Sequence, residues 1–321
     1  YDLGKPLDIK DPKHPVKKSM ELGPRDRLSQ AFIKEREKKK TIPGPFGDVV
    51  HLDIRHLGKK KIDKKLPFVR ELTKNYVGID PVYEPIPVRP VVHYMMGGID
   101  TNIDCSTNLP GLFAAGECAC VSINGANRLG SNSLTEILVF GARAGNAAAG
   151  FANEHSEIDI KALEKQRDEE FKRITLNFLN KDGGSERIST LRKEMHQVME
   201  ECVGIFRSES GLKEASNKIE ELKDRFSSVL IEDKSLNFNT ELTSALELEN
   251  MIDVAEAIIF SALSRRESRG SHQRTDFKER NDENFLRHSL AYRTDAESRI
   301  EYKEVVITKW QPGERVYGKE E

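Results

Sequence analysis

The chain has few of the residues that mark several functional classes. Cysteine occurs only four times in 321 residues, too sparsely for a disulfide framework. Cys118-x-Cys120 lacks the spacing of a zinc knuckle, and no second pair follows, so no metal site is expected and these thiols read as structural. No apolar run reaches the roughly 18 residues a membrane helix needs, and the mean hydropathy is -0.58. Neither sign of charge dominates: 51 Lys and Arg face 53 Asp and Glu, a net charge of -2. General nucleic-acid binding, which needs a basic footprint, is therefore excluded. There is no G-x-G-x-x-G fingerprint behind a strand, no internal repeat, no initial Met and no signal-peptide pattern. Charged residues make up 32% and apolar residues 37% of a chain longer than one typical domain needs. This composition predicts a soluble protein of reducing compartments.

Residues 1–18 are polar and proline-rich and read as a loop. Gly23-Pro24-Arg25-Asp26 opens a predicted helix to about Lys39, with Pro in a first turn where no N–H bond is lost. Asp48 to Ile54 alternates and predicts a strand. Lys59-Lys60-Lys61 reads as a solvated face. Pro81, Pro85, Pro87 and Pro90 predict an extended crossover between domains. Val91 to Ile103 reads as a Gly-interrupted strand, Leu112-Phe-Ala-Ala115 as a short buried strand, and Ser133 to about Gly150 as a helix. Beyond Asp159 three stripes recur at three-and-four spacing: Ile188 to Cys202, Leu212 to Phe226, and Leu242 to Ile259. They predict an antiparallel helical bundle. The remainder reads as a small strand-containing tail. The expected fold class is α/β plus α, divided at 1–90, 91–152, 153–282 and 283–321.

Residues 93–136 carry the chemistry. They contain His93-Tyr-Met-Met-Gly-Gly98, Thr107 to Glu117, and Gly125-Ala-Asn-Arg-Leu-Gly-Ser-Asn-Ser133. A carboxylate at the carboxyl end of a small-residue strand, as at Glu117, is placed to accept from cofactor hydroxyls. Ser133-Leu-Thr-Glu136 has the spacing of a capping box and predicts a helix N-terminus whose N–H groups and dipole favour a negative group. Arg128 reads as a surface residue or as a bidentate clamp for a carboxylate. His93 reads as a satisfied strand residue or as a donor to the same ligand. Singly, each is commonly structural. Together they outline one site that takes an anionic substrate against a cofactor.

The motifs continue outside that stretch: Met20-Glu-Leu-Gly-Pro-Arg-Asp-Arg-Leu-Ser-Gln30, Pro85-Ile-Pro-Val-Arg-Pro90, Glu267-Ser-Arg-Gly-Ser-His-Gln-Arg274 and Arg315-Val-Tyr-Gly318. With these in order, the chain resembles the C-terminal portion of the flavoprotein subunit of fumarate reductases and succinate dehydrogenases, most of all the bacterial quinol:fumarate reductase type. The resemblance implies the remainder of a capping domain (1–90), the C-terminal segment of a Rossmann-like FAD-binding domain (91–152), a helical bundle (153–282) and a strand-containing appendage (283–321). It places Arg25 as catalytic general acid, His93 and Arg128 on the dicarboxylate, and Glu117, Ser133 and Leu134 on FAD. Thr107 to Glu117 also resembles the second flavin motif of this superfamily, with Glu in place of the common Asp.

The reaction implied is reduction of fumarate to succinate, or its reverse. Hydride passes between flavin N5 and one alkene carbon, and Arg25 serves the other with a proton. FAD would be linked through a His outside this chain. Implied partners are an iron–sulfur subunit, membrane anchor subunits reached through it, and the quinone pool, at the cytoplasmic face of the inner membrane. Without the dinucleotide fingerprint the chain carries half a flavin site. It is expected to be a piece of a longer or split subunit that does not bind FAD or turn over alone. Two other readings remain open: an L-aspartate oxidase-like flavoenzyme, and a non-catalytic module that only binds the iron–sulfur partner.

Overall fold

The computed structural model describes residues 25–45, 47–155, 159–294 and 298–313. The loop expected at 1–18, the first residues of the Met20 motif and the Arg315 motif lie outside the described residues. The chain forms two compact units, one running to His93 and the other covering Tyr94–Gly313.

In the first unit, helix α1 (Arg25–Glu37) buries Ala31 and Phe32 and turns its charged residues outward. Strand β1 (Val50–Leu52) is shorter than the alternation predicts. It pairs antiparallel with β2 (Ile86–Val88), in the register Val50↔Val88 and Leu52↔Ile86. The proline-rich stretch is thus not a bare crossover. A two-stranded ribbon tolerates Pro87 because edge strands leave some N–H positions unpaired. Between the strands lie α2 (Gly58–Lys65), which exposes the lysine run and buries Ile62, and α3 (Pro67–Leu72), with Pro67 in its first turn. A π-helical turn, Thr73–Val77, ends at Gly78 (φ 75°). Arg70 then grips Asp80 through two bonds of 3.0 and 2.6 Å and holds that carboxyl below its usual range.

The second unit opens with β3 (Ile99–Asp100) parallel to β4 (Ala119–Cys120). The pair is close at Gly98 (φ 137°), where a Cβ would strike the Cys118 carbonyl. The strand expected at 112–115 is not formed. Leu112 is exposed, and Phe113 makes a single bridge to Ser106, so the strand lies further along at β4. Helix α4 (Asn132–Glu154) follows. It is rich in Ala, Gly and apolar residues, yet Leu134, Ile137, Leu138 and Val139 are exposed while Glu136 is buried.

Helices α5 (Ile160–Ile174), α6 (Ile188–Cys202), α7 (Glu209–Phe226) and α8 (Thr240–Ser264) come next. The last three pack on one another through the stripes the sequence shows. Leu191, Met195 and Val198 of α6 meet Leu212, Ala215, Ile219 and Leu222 of α7 and Ala245, Leu248, Ile252 and Ile259 of α8. Ser208 and Asn239 cap α7 and α8 by accepting from Gly211 and Leu242. After the short helix α9 (Asp282–Phe285), strands β5 (Arg287–Tyr292) and β6 (Arg299–Glu304) form an antiparallel hairpin. The hairpin ties the bundle to the β3–β4 region. Tyr302 donates to the Ser264 carbonyl at 3.1 Å, Lys303 reaches Asp100 at 2.9 Å, and His288 meets Ser122 at 2.8 Å.

Candidate active site

Arg128 lies half-buried in the irregular segment between β4 and α4. Its guanidinium sits 4.4 Å from the centre of the Tyr94 ring, a cation–π arrangement, and donates to the Leu129 carbonyl at 3.2 Å. The Tyr94 hydroxyl donates to Glu136 at 2.8 Å, and Asn124 donates to the same carboxylate oxygen at 2.7 Å. Burial, followed by the Glu136 carboxylate, pushes the Tyr94 hydroxyl above its ordinary pKa, so it remains a donor. Glu136, 2% exposed, thereby locks the ring on which Arg128 rests.

The capping box expected at 133–136 is not formed. The helix begins at Asn132, its N-cap is Ser131 (φ 67°), and no side chain caps it. Glu136 is turned into the protein toward Tyr94 and Asn124 and does not reach back along the helix. No side chain accepts from the first amides of α4; the Asn132 and Leu134 N–H groups donate to the Leu129 and Ser131 carbonyls at 3.2 and 3.1 Å, with Ser133 half-buried and Leu134 exposed beside them. Glu117 accepts from the Met95 N–H at 2.9 Å through one oxygen and stands exposed. Gly116 (φ 83°) backs onto α4, where a Cβ would come within 3.3 Å of Ile137. The cysteines take no part in this arrangement. Cys105 is buried with its thiol directed to the Phe140 carbonyl, and burial pushes its pKa up.

Arg25 is exposed in the first described turn of α1, and His93 is exposed at the end of the same unit. His93 is not in a strand, because β3 starts only at Ile99. The second unit gathers Arg128, Glu117, Ser133 and Leu134.

The Glu267–Arg274 motif forms a buried polar knot. Glu267 is fully buried and binds Arg265 at 2.6 Å, Arg269 at 2.8 and 3.0 Å, and the Asn281 N–H at 2.9 Å. Burial alone would raise its pKa. The Arg269 guanidinium, the Asn281 N–H and Arg265 outweigh that and hold it below the usual carboxylate range. Arg274 is buried against Asp276 through two bonds of 2.7 Å. His272 accepts from Arg207 through Nδ1 and donates from Nε2 to the Arg265 carbonyl, each at 3.0 Å. That pattern requires a neutral ring. Burial, and then the neighbouring Arg207 charge, lower its pKa to about 4.

The sign of the resulting pH dependence follows directly. An unfolded His titrates near 6.5, so between that value and about 4 the unfolded state binds more protons. Stability from this ring is complete above pH ~6.5 and is lost as pH falls toward about 4, a change of about 3 kcal/mol. Urea midpoints measured across this range decline toward acid. His272→Gln removes the part of the slope between pH 6.5 and 4.5.

Two family models match the chain: fumarate reductase flavoprotein C-term over residues 192–317, and an FAD binding domain over residues 7–134. The fumarate reductase flavoprotein subunit of Mycobacterium tuberculosis is 55% identical over 99% of this chain and 54% of its own length. The chain belongs to the fumarate reductase/succinate dehydrogenase flavoprotein family. The succinate dehydrogenase flavoprotein subunit of Rickettsia bellii is 35% identical, over 92% of this chain and 52% of its own. Among solved structures, the quinol fumarate reductase FrdA of E. coli superposes with a TM-score of 0.89 at 49% identity, covering 96% of this chain and 53% of that one. The chain spans about half the length of the curated relatives it matches.

The cofactor of this family is FAD, and the described polar groups fit it. Glu117 retains an oxygen with no bond to the Met95 amide, ready to accept from a ribose hydroxyl. The positive end of the α4 dipole, at an N-terminus no side chain caps, suits a carbonyl or anionic edge. Gly97 (φ 98°) leaves open space where a side chain would stand. Tyr94 and Asn124 carry no local signal of this role in the sequence, and Glu136 has a capping-box spacing that the fold does not use. A carboxylate among apolar helix positions was the available signal.

Proposed function

We propose that this chain supplies the dicarboxylate-binding and proton-donating groups of a flavoprotein that interconverts fumarate and succinate. The observation that carries this reading is Arg128, held over Tyr94 in the segment leading to the N-terminus of α4, which no side chain caps. There it places a cation five residues before Ser133, in the segment that leads into α4. FAD, when bound, supplies the two-electron transfer. Arg128 and His93 hold the substrate carboxylates, so that negative charge developing toward them in the transition state meets donors already in place. Arg25 gives the proton to the second alkene carbon. Glu117, Ser133 and Leu134 hold the cofactor.

The partners proposed are an iron–sulfur subunit and, through it, membrane anchor subunits and a quinone. No helix among the described residues is long and apolar enough to cross a membrane, which suits a peripheral subunit at the cytoplasmic face. FAD joined through a His outside this chain belongs to the same proposal.

Replacing Arg128 tests the reading. In the full-length flavoprotein, Arg128→Ala lowers kcat/KM for fumarate by roughly 10²–10³-fold and weakens malonate binding in parallel, because a charged contact acts in both ground and transition states. Malonate titration of the flavin absorbance checks this. Unchanged affinity would remove Arg128 from the substrate site.

A further inference from the structure

The Arg128 segment has no regular structure between β4 and α4, so its shape depends on what grips its backbone. The firmest grip among the described residues is on the Ala126 carbonyl. It accepts from both the backbone N–H and the hydroxyl of Ser271, each at 2.9 Å. Gly270 presses on the same peptide. Its φ is 58°, and a Cβ there would lie 2.5 Å from the Ala126 oxygen and 2.6 Å from its carbonyl carbon. Backbone atoms cannot yield as a flexible side chain can, so any side chain at 270 must displace Ala126.

The turn that delivers these two residues is braced from behind. The Arg269 N–H donates to the His272 carbonyl at 2.8 Å, and the His272 N–H returns to Arg269 at 3.0 Å. Arg269 is anchored on buried Glu267, and His272 is wedged between Arg207 and the Arg265 carbonyl. A rigid, buried charge network thus ends in two small residues that touch one carbonyl, two positions before Arg128. Tyr94 supports the other end of the arrangement by fixing the guanidinium.

We propose that the Gly270–Ser271 turn is the positioning element for Arg128 and sets the affinity for the dicarboxylate. This rests on the reading of Arg128 as a carboxylate ligand. Neither Gly270 nor Ser271 needs to touch the substrate. Their effect passes through Ala126, and displacing a bidentate donor by about 1 Å is enough to cost up to 10²-fold.

The test uses full-length, FAD-loaded flavoprotein carrying Gly270→Ala, Ser271→Ala, Ser271→Thr or Arg128→Ala. Fumarate KM and kcat, malonate affinity, FAD content and thermal midpoint are measured for each. Gly270→Ala raises fumarate KM and malonate Kd about tenfold, with kcat reduced less and FAD content retained. Ser271→Ala, a milder change that keeps the fold if Gly270→Ala does not, raises both about fivefold, since the bond lies at the surface and water partly replaces it. Ser271→Thr restores them. If Arg128→Ala weakens malonate while Ser271→Ala leaves KM and Kd unchanged, the positioning role is overturned and the function reading stands. If Ser271→Ala lowers only the thermal midpoint or FAD content, the turn is structural and the inference fails. If Arg128→Ala itself leaves malonate affinity intact, the function reading fails and takes this inference with it.

Discussion

Arg25→Ala in the full-length flavoprotein lowers fumarate turnover by roughly 10²–10⁴-fold, the range a positioned general acid contributes, while FAD stays bound. Arg25 stands exposed in the first described turn of α1. A guanidinium holds its proton tightly and is a poor acid toward ordinary bases. It becomes effective when the acceptor is a strongly basic, carbanion-like carbon, when water is excluded, and when a carboxylate relay reloads the proton. Arg25→Lys keeps the charge but not the planar donor geometry and restores only part of the rate. Steady-state assays alongside the flavin spectrum check the prediction. Near-native turnover in Arg25→Ala would remove the assignment.

Glu267→Ala destabilises the protein by about 3–5 kcal/mol, because it leaves two largely shielded guanidinium groups facing a vacated site. Glu267 is fully buried, and Arg265 and Arg269 are both largely shielded. The same change unties the Asn281 N–H and loosens the turn behind Ala126. Glu267→Gln preserves the shape and one acceptor and costs less. Urea unfolding at pH 7 measures both. A loss under 1 kcal/mol for Glu267→Ala would mean that water or other acceptors satisfy the two arginines.

Legibility in the sequence followed the range of the interactions. The bundle stripes were readable because burial there repeats at helical spacing: Leu191, Leu212 and Leu248 are all fully buried. The strand-containing tail expected at 283–321 holds the β5–β6 hairpin. Helix α4 was placed within a residue of its start, yet the role of Glu136 was not. The capping-box pattern is local, whereas Tyr94, 42 positions away, claims the carboxylate. The strand expected at 112–115 failed for a related reason. Small apolar residues there suit a strand, but pairing with β3 selects Ala119–Cys120. The proline-rich stretch was read as a crossover because the pairing of Ile86–Val88 with Val50–Leu52 is long-range. The Glu267–Arg274 motif was visible as a signature of the family. Its grip on Ala126 becomes visible only when residues 145 apart in sequence meet.

The most direct measurement is a single-turnover experiment on the full-length, FAD-loaded flavoprotein, chemically reduced under anaerobic conditions and mixed with fumarate. The account predicts rapid return of the oxidised flavin absorbance with one succinate formed per flavin, and no reduction of the oxidised protein by L-aspartate. A reduced flavin that persists with fumarate, in a protein that L-aspartate does reduce, would contradict it.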